Sequence, residues 1–233
     1  QIARFGRVLG GFLPYSTPLS VHSAPSTWPA GFDDLPAWHD HIIIQHKLRD
    51  LSDASDTIRR ARRGPRAEPV LDDELSYQGA GDKHSEADTI EAHLGVFLGG
   101  GYGTTGWKTG EKLGHYFWGG FDPAEHSAAD ALAFLRRVID VHITFWRLEP
   151  SEGIFEGLDP GFRVLAWPGR EYVLGTDQPR RRLVAVLPRG RWAVARHDVI
   201  AQTSAILAES ASGRFEFDAP ASRAVLFHFQ KMK

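Results

Sequence analysis

The stretch Pro69-Val-Leu-Asp-Asp-Glu-Leu-Ser-Tyr-Gln78 carries the chemistry-bearing residues most closely spaced in this chain. It opens on a proline, which fits the first position of a strand but not its middle. Two apolar residues follow, then the acids Asp72, Asp73 and Glu74, and then Tyr77. A strand that begins apolar and ends in carboxylates matches the C-terminal mouth of a parallel barrel, where reactive groups collect. Three carboxyls this close cannot all ionise without cost, so at least one pKa is expected to be displaced. The competing reading is an acidic turn in solvent.

Carboxyl groups in such a place suit cleavage of a glycosidic bond. That reaction needs two of them on either side of the bond, about 5–5.5 Å apart if configuration is retained. Glu74 is the candidate nucleophile. Strand alternation puts Asp72 and Glu74 on one side and Asp73 on the other, and Tyr77 is placed to hold a carboxylate by hydrogen bonding. The second carboxyl must come from another strand, because neither Leu19-Ser-Val-His22 nor Ile42-Ile-Ile-Gln45 ends in an acid. His22, His41, Gln45 and Asp73 are suited to hydrogen-bonding sugar hydroxyls. Tyr102 closes a further short strand, and the aromatics Trp107, Tyr116 and Trp118 of the Gly-rich stretch behind it suit a sugar platform. Core packing is the plainer alternative for these residues. A zinc site at His22, His39 and His41 is the rival for the histidines, but they lack the His-x-x-x-His helical spacing, and no metal or cofactor is expected. The basic run Arg59, Arg60, Arg62, Arg63 and Arg66 reads as a solvated helix face rather than a nucleic-acid site. Gly99-Gly-Gly101 lacks the Gly-Lys-Ser/Thr of a phosphate loop.

These residues need a scaffold that brings strand ends together. Apolar spacing predicts a helix over residues 2–12. Strands are expected at Leu19–His22 and Ile42–Gln45, the second being the continuous apolar run of a strand buried on both faces. Ser52 to Arg63 reads as a helix capped by Ser52. The Pro69 strand follows, then a helix from about Ser85 to Leu98, the short Tyr102 strand, and a helix Ala128–Val141 opened by a capping box at Ser127. This alternation argues for a parallel sheet. A complete (β/α)8 barrel takes about 250 residues, so the first unit suffices for half. After Pro150 the texture changes to short strand-like runs separated by Gly, Pro and Asp, as in a small antiparallel β-sandwich. The expected fold is therefore α/β plus all-β: the C-terminal half of a (β/α)8 barrel over residues 1–148 and a β-sandwich over 149–233.

Composition narrows the field. A chain of 233 residues can bury a core, and a net charge of −2 argues against a polyanionic partner. The absence of cysteine rules out disulfides and thiolate–metal sites and leaves the compartment, cytoplasmic or secreted, undetermined. No apolar run approaches the ~18 residues of a membrane span, and no signal peptide is read. The chain opens on Gln1 directly into a helical pattern, so it is expected to begin partway through a larger fold.

Several segments resemble, in order, the apiosidase-like (β/α)8 glycoside hydrolases with a C-terminal β-sandwich. Leu13-Pro-Tyr15 with Leu19-Ser-Val-His22 is similar to their "DPY…LxSIHN" segment, and Trp38-His-Asp-His-Ile-Ile-Ile-Gln45 to "WxTHxSIQ". Pro69–Gln78 resembles "PVxxDExxYEG", Gly100–Gly106 "GGYxTHGE", and Ser127–Arg137 the "SxxRIxFLR" helix. Gln178-Pro179, Leu187-Pro188 and Asp198 fall where the group has "QP", "LP" and "ID". The resemblance implies that Glu74 is the nucleophile at the end of the seventh barrel strand. It implies that His22, His41, Gln45 and Tyr77 line the sugar site, and that the acid/base follows a fourth strand this chain lacks. Gln78, Thr105 and Trp107 depart from the group's Glu, His and Glu. The expected partners are a carbohydrate substrate and an N-terminal half-barrel segment or chain; homo-oligomerisation stays among the alternatives, as does a non-catalytic carbohydrate-binding or structural protein with a decayed active site.

Overall fold

The computed structural model describes residues 2–13, 15, 17–22, 39–63, 68–75, 78, 84–105 and 126–233. Its first elements are α1 (Ile2–Phe12), β1 (Ile42–Ile44), α2 (Leu51–Ala61), β2 (Val70–Asp72), α3 (Glu86–Leu98), β3 (Tyr102–Gly103) and α4 (Ala129–His142). β1, β2 and β3 form a parallel sheet in that order, and His22 adds a parallel pairing with Ile43. Four parallel segments thus stand side by side in chain order.

The strand residues facing α2 and α3 are apolar. Ile42, Ile44 and Val70 pack on Ala54, Ile58, Ala92 and Val96. The two helices touch closely enough that a β-carbon on Gly95 would lie 2.3 Å from the Leu51 carbonyl oxygen. Asp50, not Ser52, caps α2: its carboxylate accepts from the Asp53 N–H at 2.7 Å. Ser85 and Asp88 make a reciprocal capping box on α3. Ser127 does not cap α4 as expected. The cap position falls on Ala128, and the Gln78 side chain serves instead, its Oε1 accepting from the Ala128 N–H at 3.2 Å while its Nε2 donates to the Ser127 hydroxyl.

The remaining strands are β4 (Glu149–Ser151), β5 (Phe162–Trp167), β6 (Glu171–Thr176), β7 (Arg180–Val186), β8 (Trp192–Asp198), β9 (Thr203–Ala211), β10 (Arg214–Ala219) and β11 (Val225–Lys231). Six form an antiparallel sheet in the order β4-β5-β6-β11-β8-β9, and β7 pairs with β10. The sequence reading placed strand-like runs at 162–167, 171–174, 182–187, 192–195, 214–217 and 224–229 and so missed β4 and β9, whose residues carry little apolar alternation. Alternation along the six-stranded sheet gives it two buried faces. Val164, Leu174, Phe227 and Phe229 meet Leu183, Ala185 and Phe217 of the β7–β10 pair. Leu165, Val173 and Leu226 point the other way, into one core with Leu94 and Leu98 of α3 and Leu135 and Val138 of α4.

The basic run is the expected solvated face only in part: Arg60 and Arg63 are exposed, whereas Arg59 and Arg62 are part-buried. Arg59 donates to the Val164 carbonyl at 3.1 Å and Arg62 to the Gly100 carbonyl at 2.7 Å, with Glu149 as a second partner of Arg62. These contacts tie α2 to the antiparallel sheet and to the approach to β3. Arg66 lies outside the described residues.

Candidate active site

The C-terminal ends of the four parallel segments bring His22, Gln45, the acids after β2 and Thr104 together. His22 Nε2 lies 2.8 Å from Asp73 Oδ2 and 3.0 Å from Gln45 Nε2, so it either donates to the carboxylate or accepts from the amide, according to the tautomer, and three neighbouring strand ends meet at this ring. Thr104 fixes the backbone here: its hydroxyl donates to the Asp73 carbonyl at 2.6 Å and its N–H to the Asp72 carbonyl at 2.9 Å. The Leu75 N–H returns to the Thr104 carbonyl at 3.1 Å, and the Asp73 N–H reaches the Ile44 carbonyl at 3.1 Å. The turn bearing Asp73 and Glu74 is therefore held from both sides.

The strand ends at Asp72, so alternation does not carry through to Glu74. Asp72 is fully buried, at 0% exposure, with Oδ1 accepting from the His46 N–H at 3.2 Å. Burial pushes its carboxyl up to about 7; hydrogen bonds from the His46 and Glu74 N–H groups oppose that shift, and the neighbouring Asp73 adds to it. Asp73 is also raised, by burial first, with His22 drawing it back. The displacement expected from crowded carboxyls is present, but lost hydration drives it more than mutual repulsion. Glu74 is part-exposed, its Oε2 4.0 Å from Lys47 Nζ.

Two predicted residues stand elsewhere. His41 immediately precedes β1 and Gln45 immediately follows it, so about 13 Å of extended chain separates them. The two histidines expected to gather with Gln45 are thus represented at the mouth by His22 alone. Tyr102 begins β3, level with Leu71, and its ring meets Phe145 edge-on at 5.4 Å; Thr104 takes the mouth position assigned to it. Tyr77, Trp107, Tyr116 and Trp118 lie outside the described residues. His39 pairs instead with Glu68, at 3.0 Å, and among the described residues no group of three ligating side chains has a metal-site arrangement. Sequence reasoning missed Thr104 and the special state of Asp72. The Asp-Asp-Glu spacing flagged the cluster but not which acid would be buried.

Beside β3 opens a cavity of about 850 Å³. Leu71 and Tyr102 line it on the sheet side, Leu132 and Ile139 on α4, and Phe145 and Trp146 at the rim. His93 and His126 also border it. Burial lowers both imidazoles, His93 to about 4.

The fold is similar to that of solved glycoside hydrolases. One such enzyme superposes with a TM-score of 0.66 at 12% identity, over 84% of this chain and 53% of its own. A family 5 glycoside hydrolase from Bacteroides vulgatus gives 0.71 at 12% identity, over 92% of this chain and 55% of its own. A second protein of that organism, provisionally named a glycoside hydrolase, gives 0.65 at 16% identity, over 98% and 48%. The likeness is one of fold: the chain has a glycoside hydrolase fold and spans about half the length of the solved structures it matches. It does not single out the apiosidase-like group. No family profile matches the chain, and no curated protein does.

Proposed function

We propose that this chain is the second half of a (β/α)8 barrel followed by a β-sandwich, and that the whole protein hydrolyses a glycosidic bond with Glu74 as nucleophile. The observation that carries the reading is the placing of three acids at the C-terminal end of a central parallel strand, beside His22 and Gln45, in a fold shared with glycoside hydrolases. Barrel enzymes build their active sites at that end.

In this reading Glu74 attacks the anomeric carbon and forms a glycosyl ester, while an acid from the other half of the barrel protonates the leaving oxygen. Water then cleaves the ester with that acid acting as base, so configuration is retained. The His22–Asp73–Gln45 cluster presents polar groups to the sugar hydroxyls, and the Thr104 bonds keep the turn under Glu74 from shifting. Tyr77, Trp107 and Trp118 complete the sugar site, with Tyr102 and His41 further from the reacting centre.

The test is Glu74→Gln in the complete protein, assayed on aryl glycosides and on polysaccharides. Turnover is expected to fall by roughly 10³-fold or more with substrate binding retained. A variant that hydrolyses as fast as the parent removes Glu74 from the mechanism; a parent that binds glycan without any turnover makes the protein a binding module.

A further inference from the structure

Three consecutive residues after β1 each reach the acids of the site or their partners. Gln45 meets His22 at 3.0 Å, the His46 N–H donates to Asp72 Oδ1 at 3.2 Å, and Lys47 Nζ stands 4.0 Å from Glu74 Oε2. The middle contact differs from the other two in where it lies. Asp72 has no exposed surface, and alternation along β2 puts it on the side of Val70, which packs on α2 and α3. Its carboxyl therefore stands behind the turn that carries Asp73 and Glu74, at the end of an apolar row. Oδ2 is buried there without a hydrogen-bond partner among the described residues.

We infer that Asp72 is a positioning residue for the proposed hydrolysis: from the helix side of the sheet its carboxyl holds the Gln45–Lys47 segment and the Glu74 turn in one arrangement, and so sets where Lys47 stands against the Glu74 carboxylate. This rests on Glu74 being the nucleophile. One carboxyl engages both sides of the joint, because the His46 N–H comes from the segment after β1 and the Glu74 N–H from the turn. Once ionised, it could not stay as it is. Oδ2 would be a charged oxygen without a donor at the end of an apolar row, an expensive state unless a partner is supplied. Among the described residues, Ala54 and Ile58 of α2 and Ala92 and Val96 of α3 form the facing layer, and none carries a charge. β3 contributes Gly103, and Thr104 follows it. His46 lends Asp72 its backbone, while its imidazole acts on Asp53 of α2. The neighbouring Asp73 opposes ionisation of Asp72, and Lys47 is the cation that favours it. An ionised Asp72 thus competes with Glu74 for Lys47. Burial keeps the carboxyl neutral up to about pH 7, so below that pH Lys47 is left to Glu74, and above it the arrangement is released.

The test is Asp72→Ala and Asp72→Asn in the complete protein, beside Glu74→Gln, with kcat and KM followed on an aryl glycoside from pH 5 to pH 9. Asp72→Ala removes the acceptor and is expected to lower kcat by roughly 10- to 100-fold, as a small misplacement of reacting groups does, with KM little changed. Asp72→Asn keeps an acceptor and cannot ionise. It is expected to restore most of the lost kcat at pH 5.5 and to lose less activity than the parent between pH 6 and pH 8. A kcat for Asp72→Ala equal to the parent's overturns the proposal. So does a pH profile of Asp72→Asn that superposes on the parent's, even where Asp72→Ala lowers the thermal midpoint, because Asp72 then serves the fold alone. Should Asp72→Ala fail to fold, the profile of Asp72→Asn decides. In each of these outcomes Glu74→Gln still abolishes turnover, which leaves the nucleophile in place. A Glu74→Gln variant as active as the parent, or a parent without turnover, removes the enzymatic reading and the positioning role together.

Discussion

Asp72 is the residue whose state depends most on its surroundings. An aspartate in the unfolded chain titrates near 3.9, whereas burial holds this one near 7. The folded form therefore binds the proton more tightly than the unfolded form. Stability contributed by the protonated group is fully present below about pH 4 and is lost as pH rises toward 7, a change on the order of 4 kcal/mol. Asp72→Asn keeps an acceptor for the His46 N–H and removes the titration. Urea unfolding at pH 5 and pH 8 is expected to show the variant gaining on the parent at the higher pH; equal gains at both would mean that Asp72 ionises freely. Asp73 needs no such isolation, because His22 lies 2.8 Å away and offsets part of its burial.

At the scale of elements, close approach and capping decide where the helices sit. Gly95 lets α3 meet α2, and a β-carbon there would also stand 2.8 Å from the Ala54 β-carbon. Gly95→Ala improves helix propensity by about 1 kcal/mol, yet forcing the helices apart costs about 1–3 kcal/mol or more, so overpacking wins. A lower thermal midpoint is the expected outcome, and an unchanged or higher one would show that the helices part freely. Gln78 anchors the start of α4 through the Ala128 N–H. Gln78→Ala should cost about 1 kcal/mol, and hydrogen exchange should quicken in the first turn of α4 while α2 and α3 are unaffected. The far end of α4 is held by Glu171 of β6, which accepts from the Thr144 N–H at 3.0 Å and pairs with His228 at 2.8 Å.

Across the whole molecule, the core of α3, α4 and the six-stranded sheet joins the parallel and antiparallel parts. Leu226 is wholly buried in it. Leu226→Ala should destabilise by about 2–5 kcal/mol and lower one common transition followed by calorimetry; two separated transitions would show that the parts unfold independently. Proton linkage also acts on the molecule as a whole. Burial, then His228 and His142, depress His197 to about 4, so its contribution is present above about pH 6.5 and is lost as pH falls toward 4. Asp72 works in the opposite direction. Over about pH 4–6.5 Asp72 cancels one imidazole, and His93, which burial also lowers to about 4, leaves a net rise. Stability is therefore expected to peak near pH 6.5, and His197→Phe should flatten the rise below it. A parent whose stability rises steadily from pH 5 to pH 8 would contradict the pairing of these two effects.

Local sequence determined the elements and the chemistry on offer. The apolar run Ile42–Ile44, the acids after Val70 and Leu71, and the Gly-punctuated strands past Pro150 follow from periodicity and turn residues, which neighbours along the chain set between themselves. Tertiary structure decided which residue does what. Asp72 lost more of its water than Asp73 or Glu74 because it lies within the sheet, between Ile44 of β1 and Gly103 of β3. Thr104 rather than Tyr102 reached the mouth because register places Tyr102 beside Leu71. Gln78 rather than Ser127 capped α4, and Arg59 and Arg62 turned inward, because partners distant in sequence came within bonding distance. Burial and register are properties of the assembled layers, so no local pattern could encode them.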